Sequence, residues 1–194
     1  MIQATPLRAI RQGRYRIAQA IAFATHRSAP DDAFVPARGM RPGTLDALRR
    51  LPPADQHHLL AVHRMLIEQG ANEDVAFAGL LHDIGKTYNG HTVRLLDRGL
   101  KVIFSRIAPA WMARFKGESP PRWGTGLWIA CNHAQLGATT AQKLGYNERV
   151  CWLIAHHEDR EPCDPDLLLL QAADDSPLTA PSSRPWTAGT EHRP

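Results

Sequence analysis

Lysine and cysteine are scarce: the 194 residues include 4 lysines, against 19 arginines, and 3 cysteines. Cys131, Cys151 and Cys163 have neither the even number nor the close spacing of a disulfide framework or a zinc knuckle, so reduced, buried thiols are expected. Apolar runs are short as well. None approaches the ~18 residues that span a bilayer, and no signal-peptide core precedes a small-residue cleavage site. These absences point to a soluble cytoplasmic protein. Strand-like alternation is missing, which leaves an all-α fold. P-loop, nucleophile elbow and dinucleotide fingerprint are missing too, which removes three common enzyme classes. The formal charge of +4 contains no run of five like charges, so no stable nucleic-acid partner is indicated, whereas a small phosphorylated substrate suits the balance.

What is present reads as a chain of helices over a one-domain length. From Leu7 to Phe23, Leu7, Ile10, Ile17 and Ile21 recur at helical spacing with Arg8, Arg11, Arg14 and Arg16 elsewhere on the helix, a basic amphipathic segment expected to pack on the domain, the alternatives being an acidic membrane surface or an organellar transit segment. Pro, Gly and Asp between Ser28 and Pro42 read as a connection, followed by a short helix near Thr44 to Leu51. A helix is expected from about Ala54 to Gln69. Asn72, Glu73 and Asp74 then cap another that reaches His82. Residues 93–115 are helical in pattern with a break at Pro109, and 117–126 form a Pro and Gly loop flanked by Trp123 and Trp128. Asn132, Asn147 and Asp166 are expected to open three more helices, ending near Gly145, Glu158 and Asp174. The expected organisation is an extension over 1–52, a domain over 53–175 and a disordered Pro/Ser-rich tail over 176–194.

The chain has ten histidines, several of them in segments that otherwise read as buried helix. Helical periodicity puts His58 at the edge of a stripe with Val62 and Met65, turns His57 toward solvent with Arg64, and leaves His63 as the plain core histidine. His82 and Asp83 sit side by side at the end of an apolar helix, where burying both unpaired is costly and a metal ion offsets the desolvation. The alternative is a backbone carbonyl for His82 and a capping role for Asp83. His133 shares a face with Leu136, Gly137 and Thr140. His157 shares one with Leu153 and Ile154, while His156 is rotated toward Trp152. Asp174 aligns with Leu167 and Leu170, an awkward place for a carboxylate unless positive charge faces it. Six or seven such ligands exceed one tetrahedral zinc. They suit two divalent ions, iron or manganese foremost, with zinc, nickel and magnesium also compatible.

The order of His58, His82-Asp83-Ile84-Gly85-Lys86 and Asp174 resembles the HD-domain metal-dependent phosphohydrolases over roughly 53–175. His133 and the doublet His156-His157 further resemble the binuclear branch of that superfamily. The resemblance implies a compact helical bundle in which His58, His82, Asp83 and Asp174 hold one ion. Asp83 would bridge to a second ion held by His133 with His157 or His156. It also implies hydrolysis of a phosphomonoester or phosphodiester by a hydroxide bridging two ions, with Asp83 and Lys86 as catalytic residues and Lys86 stabilising charge on phosphate. The Asp-Gly-x-Gly-Tyr-Pro loop of cyclic di-GMP phosphodiesterases is replaced by residues 158–163, Glu-Asp-Arg-Glu-Pro-Cys, which disfavours that activity. Arg94, Arg98, Lys101, Arg106, Arg114, Lys116, Trp111 and Trp123 lie where such folds can place contacts to a phosphorylated ligand, but an ordinary packed helical pair with a basic exterior is the expected explanation for most of them. Two other readings stand beside hydrolysis: a di-iron oxygenase on the same ligand set, and a ligand-binding signalling module without catalysis.

Overall fold

The computed structural model describes residues 39–117, 119–120 and 124–176. The expected basic helix over 7–23, Trp123, and the tail beyond Ser176 lie outside the described residues. Among the described residues, eight α-helices run in the order α1 (Thr44–Arg49), α2 (Pro53–Glu68), α3 (Glu73–Leu81), α4 (Leu95–Ile107), α5 (Pro109–Met112), α6 (Thr125–Lys143), α7 (Glu148–His156) and α8 (Pro165–Asp174). Single 3₁₀ turns follow α3, at Ile84–Lys86, and α5, at Ala113–Phe115.

Local chemistry sets the boundaries. Three helices begin at an Asx cap whose side chain accepts a backbone N–H three residues on: Asn72 from Val75 at 3.0 Å, Asn147 from Val150 at 2.9 Å and Asp164 from Leu167 at 3.0 Å. Pro53, Pro109 and Pro165 occupy the first helical position, where the missing N–H is no loss. Helix α3 is apolar on every side, and all residues from Val75 to Leu81 are buried. A helix with that pattern has to lie at the centre. It packs on α2, α7 and α8, and Leu48, Leu59, Leu66, Leu80, Leu153 and Leu170 fill the core around it. A second, smaller core holds Val93, Met112, Phe115, Leu127, Trp128 and Ile129, between α5 and the first half of α6.

Two expected helix starts are displaced. Helix α8 opens on an Asp164 cap with Pro165 at its first position, not on Asp166. Helix α6 starts at Thr125, seven residues before Asn132. The Asn132 amide caps nothing and instead donates to the carbonyls of Phe115 at 2.5 Å and Trp128 at 2.7 Å, pinning the α5 turn to α6. The fold is all-α as expected, with one minimal hairpin added: Thr87–Tyr88 (β1) and His91–Thr92 (β2) pair antiparallel, Thr87 with Thr92 and Tyr88 with His91. Asn89 (φ 48°) and Gly90 (φ 77°) supply the two left-handed positions that a tight hairpin turn needs. With two residues per strand, alternation was too short to register.

Candidate metal centre

The sequence between Leu80 and Lys86 converts directly into geometry. Helix α3 ends on Leu81 with His82 as its cap residue, and the chain then tightens into the 3₁₀ turn. That turn lies flat against α6 at Gly85, where any Cβ would run into the His133 carbonyl and the Gly137 amide nitrogen. Only glycine permits this approach, and it brings Asp83 up against His133.

His58, His82, Asp83, His133 and His157 are all buried. Their ligand atoms form two groups that share one residue: His58 with His82 and Asp83, and Asp83 with His133 and His157. The two oxygens of Asp83 face opposite ways. Oδ1 lies 3.4 Å from His133 Nε2 and 3.9 Å from His157 Nε2, whereas Oδ2 lies 3.6 Å from His82 Nε2 and pairs with the Lys86 ammonium. Asp174, at the end of α8, brings Oδ1 to 2.8 Å from His58 Nε2 and 3.3 Å from His82 Nε2. Gln171, one turn earlier, donates to the carbonyls of His157 (3.0 Å) and Asp159 (2.8 Å), tying the end of α7 to α8.

One device orients three of the four imidazoles. His82, His133 and His157 each present Nδ1 to the carbonyl three residues back, Gly79 at 2.9 Å, Ala130 at 3.0 Å and Ile154 at 2.7 Å. A carbonyl only accepts, so Nδ1 carries a proton, and in the neutral imidazole Nε2 is the atom that keeps the lone pair. All three Nε2 atoms point into the cluster. For His82 the backbone-carbonyl alternative holds at Nδ1, and it leaves Nε2 turned toward the cluster.

The donor set fits a divalent ion. His82 Nε2 is buried and makes no hydrogen bond, an expense that metal ligation removes. Neutral imidazole and carboxylate are the ligands that iron, manganese and zinc accept. Electrostatics agree. Burial pushes the Asp83 carboxyl up, but Lys86 and the surrounding histidines outweigh it and hold the group well below its ordinary range. Asp174 is likewise held low against its own burial, by His82 and His58. Burial alone would lower His82, yet Asp83 and Asp174 raise it to about 9. The space between those carboxylates favours positive charge. His133, farther from Asp174, is instead lowered by burial to about 3.

Among the expected ligands, the structure does not bring His156 to the others. Its Nδ1 bonds the Trp152 carbonyl at 2.8 Å, its ring stacks on Trp152 at 4.4 Å between centroids, and it lines an outer groove with Gln135. His157 is the member of the doublet that faces the cluster. His63 behaves as the plain histidine, bonded to the Ala76 carbonyl at 2.8 Å. Lys86 faces carboxylates on two sides, Asp83 and, at 3.9 Å, Asp55.

Two acidic residues that border the cluster were not singled out from the sequence. Asp55, buried at the start of α2, takes Arg98 at 2.5 Å. Its signal was there to read: Asp55 precedes His58 by three and so shares its helix face. Glu158 sits 3.9 Å from His133 Nε2 and takes Lys101 at 2.7 Å. Arg98 and Lys101, one turn apart on α4, thus lean on carboxylates at either side of the centre. Arg94, Arg106, Arg114 and Lys116 are exposed, and Trp111 packs between Phe104 and Phe115.

The HD domain family model matches residues 56–176, nearly the whole described unit from α2 to the end of α8. The chain belongs to the HD domain family, a superfamily of metal-dependent phosphohydrolases. No curated protein and no solved structure matches it.

Proposed function

We propose that the chain hydrolyses a phosphomonoester or phosphodiester, nucleotides included, at a two-metal centre. The observation that carries this reading is the Asp83 carboxylate, whose two oxygens serve two separate groups of histidines. In this reading His58, His82, Asp83 and Asp174 hold one ion, and Asp83, His133 and His157 hold the other, iron or manganese being the best match. When bound, the pair supplies Lewis acidity toward the phosphoryl oxygens and lowers the pKa of water enough to give a nucleophile at neutral pH. The catalytic unit is 53–175.

The rest follows from the chain's own groups. The back-bonded histidines arrive with their tautomer and ring plane already set, so little ordering remains when the site assembles. Asp83 keeps its charge because Lys86 compensates it. The Lys86 ammonium, already at the centre, is within reach of a phosphoryl group and offsets charge that builds on it. Arg98 and Lys101 on α4 border the entrance and suit an anionic substrate, each now resting on a carboxylate that a phosphate would replace.

The test is phosphate or nucleotide release from a panel of phosphomonoesters, dinucleotides and cyclic dinucleotides, with protein reconstituted anaerobically with Mn²⁺ or Fe²⁺. Turnover is expected, and Asp83→Ala is expected to lose it by about a thousandfold or more, since both ions share that ligand. Metal content is expected to fall in His157→Ala and to stay unchanged in His156→Ala, measured by elemental analysis. Two bound ions with no turnover on any phosphoester would sink the hydrolase reading. Dioxygen consumption by that same protein would select the oxygenase.

A further inference from the structure

Helix α4 is built inside out. Leu96, Leu100, Ile103 and Ile107 recur at spacings of four, three and four, which places them on a single stripe. An apolar stripe normally turns to the core, yet here Leu96 is 77%, Leu100 40%, Ile103 53% and Ile107 71% exposed. The inner face of the helix carries Arg98 and Lys101, bonded to Asp55 and Glu158. The charged face is thus turned to the domain and the aliphatic face to the outside.

Charge decides what covers that stripe. Between Val93 and Gly117 there are six basic side chains, Arg94, Arg98, Lys101, Arg106, Arg114 and Lys116, and one acidic, Asp97. The surplus of five exceeds the +4 of the entire chain. Arg94, Arg106, Arg114 and Lys116 are exposed in the same segment. A second copy of the chain would bring the same surplus against itself. Residues 1–38 hold six arginines and two aspartates, so they are a poor cover as well. The occupant has to be apolar in its interior and negative at its edge, which describes an anionic lipid surface met by a helix lying in its plane.

We infer that α4 docks the protein peripherally on an anionic phospholipid bilayer, its Leu96–Ile107 stripe in the acyl boundary and its exposed arginines at the headgroups. No helix among the described residues is long and apolar enough to cross a membrane, and docking needs none. The inference rests on α4 alone and stands apart from the metal reading. Its consequence is spatial: the face of α4 that carries Arg98 and Lys101, bonded to Asp55 and Glu158, would lie about one helix diameter, ~10 Å, from the headgroups.

The test sediments the full-length chain, metal-loaded and freed of excess metal, with phosphatidylcholine vesicles that contain or lack phosphatidylglycerol. Binding is expected to the anionic vesicles, to weaken with added salt, and to be about tenfold or more weaker on the neutral ones. Leu96→Ser/Ile103→Ser/Ile107→Ser is expected to lose about tenfold or more in affinity, with helix content and bound metal unchanged. Arg106→Glu/Arg114→Glu should lose affinity for the anionic vesicles only. Three results overturn the inference: a wild-type chain that ignores both vesicles, a triple variant that sediments as the wild type does, so that another segment carries the binding, or a dimer in solution that the triple variant abolishes.

Discussion

Helices α3 and α4 are both rich in aliphatic residues, and they end up in opposite environments. In α3 every residue from Val75 to Leu81 is buried, whereas the stripe of α4 lies open. The difference lies in what the rest of each helix offers. Helix α3 has no polar side beyond its first turn, so the only stable place for it is the centre. Helix α4 has a basic face with two carboxylate partners available, Asp55 and Glu158, and that face takes the inner position. Apolar content therefore does not by itself tell which residues hold the fold together. In α3 it supplies stability. In α4 it is surface, free to serve binding.

The sharpest way to break this contrast is to truncate one aliphatic side chain in each helix and compare unfolding by urea. Leu80→Ala removes a fully buried side chain from the main core and is expected to destabilise by about 2–5 kcal/mol. Ile107→Ala removes an equally large group from α4 and is expected to change stability by less than about 0.5 kcal/mol. Comparable losses at the two positions would mean that α4 is covered within the folded chain. A loss at neither would mean that α3 is not the centre of the core.

The same contrast explains what the sequence could and could not disclose. Helices with an Asx cap or a leading proline were legible, because the signal is local: Asn72, Asn147 and Pro53 each lie within a residue or two of the boundary they set. Most of the cluster was legible too, since His58, His82, Asp83, His133, His157 and Asp174 sit at helical spacings that turn them inward. The start of α6 was not, because Asn132 looks like a cap and only the distant Phe115 carbonyl reveals its tether. The cationic partners of Asp55 and Glu158 depend on α4 crossing over the site, a tertiary fact, although helical spacing alone puts Asp55 on the face of His58. The orientation of α4 was hidden for the same reason: periodicity locates a stripe but does not say which way it faces.

His63 offers the finest test, on the seam between α2 and α3. Its Nδ1 is bonded to the Ala76 carbonyl and its ring is stacked near Phe77, at 6.1 Å between centroids. Burial lowers its pKa below 6.5, with the carbonyl opposing only in part. In the unfolded chain the imidazole titrates near 6.5, so below that pH the unfolded state binds more protons than the folded one. The contribution is therefore fully present above about pH 6.5 and is lost as the pH falls toward the lowered folded value. His63→Phe keeps a ring against Phe77 and removes the titration. The melting temperature of the wild type is expected to drop more steeply between about pH 7 and 5 than that of the variant, by a few degrees at most because the ring is only partly shielded. The cluster histidines are common to both proteins and cancel in the difference. Parallel pH profiles would show that His63 gains its proton as easily in the fold as in the free chain, and that the α2–α3 seam is wetter than the buried helix beside it.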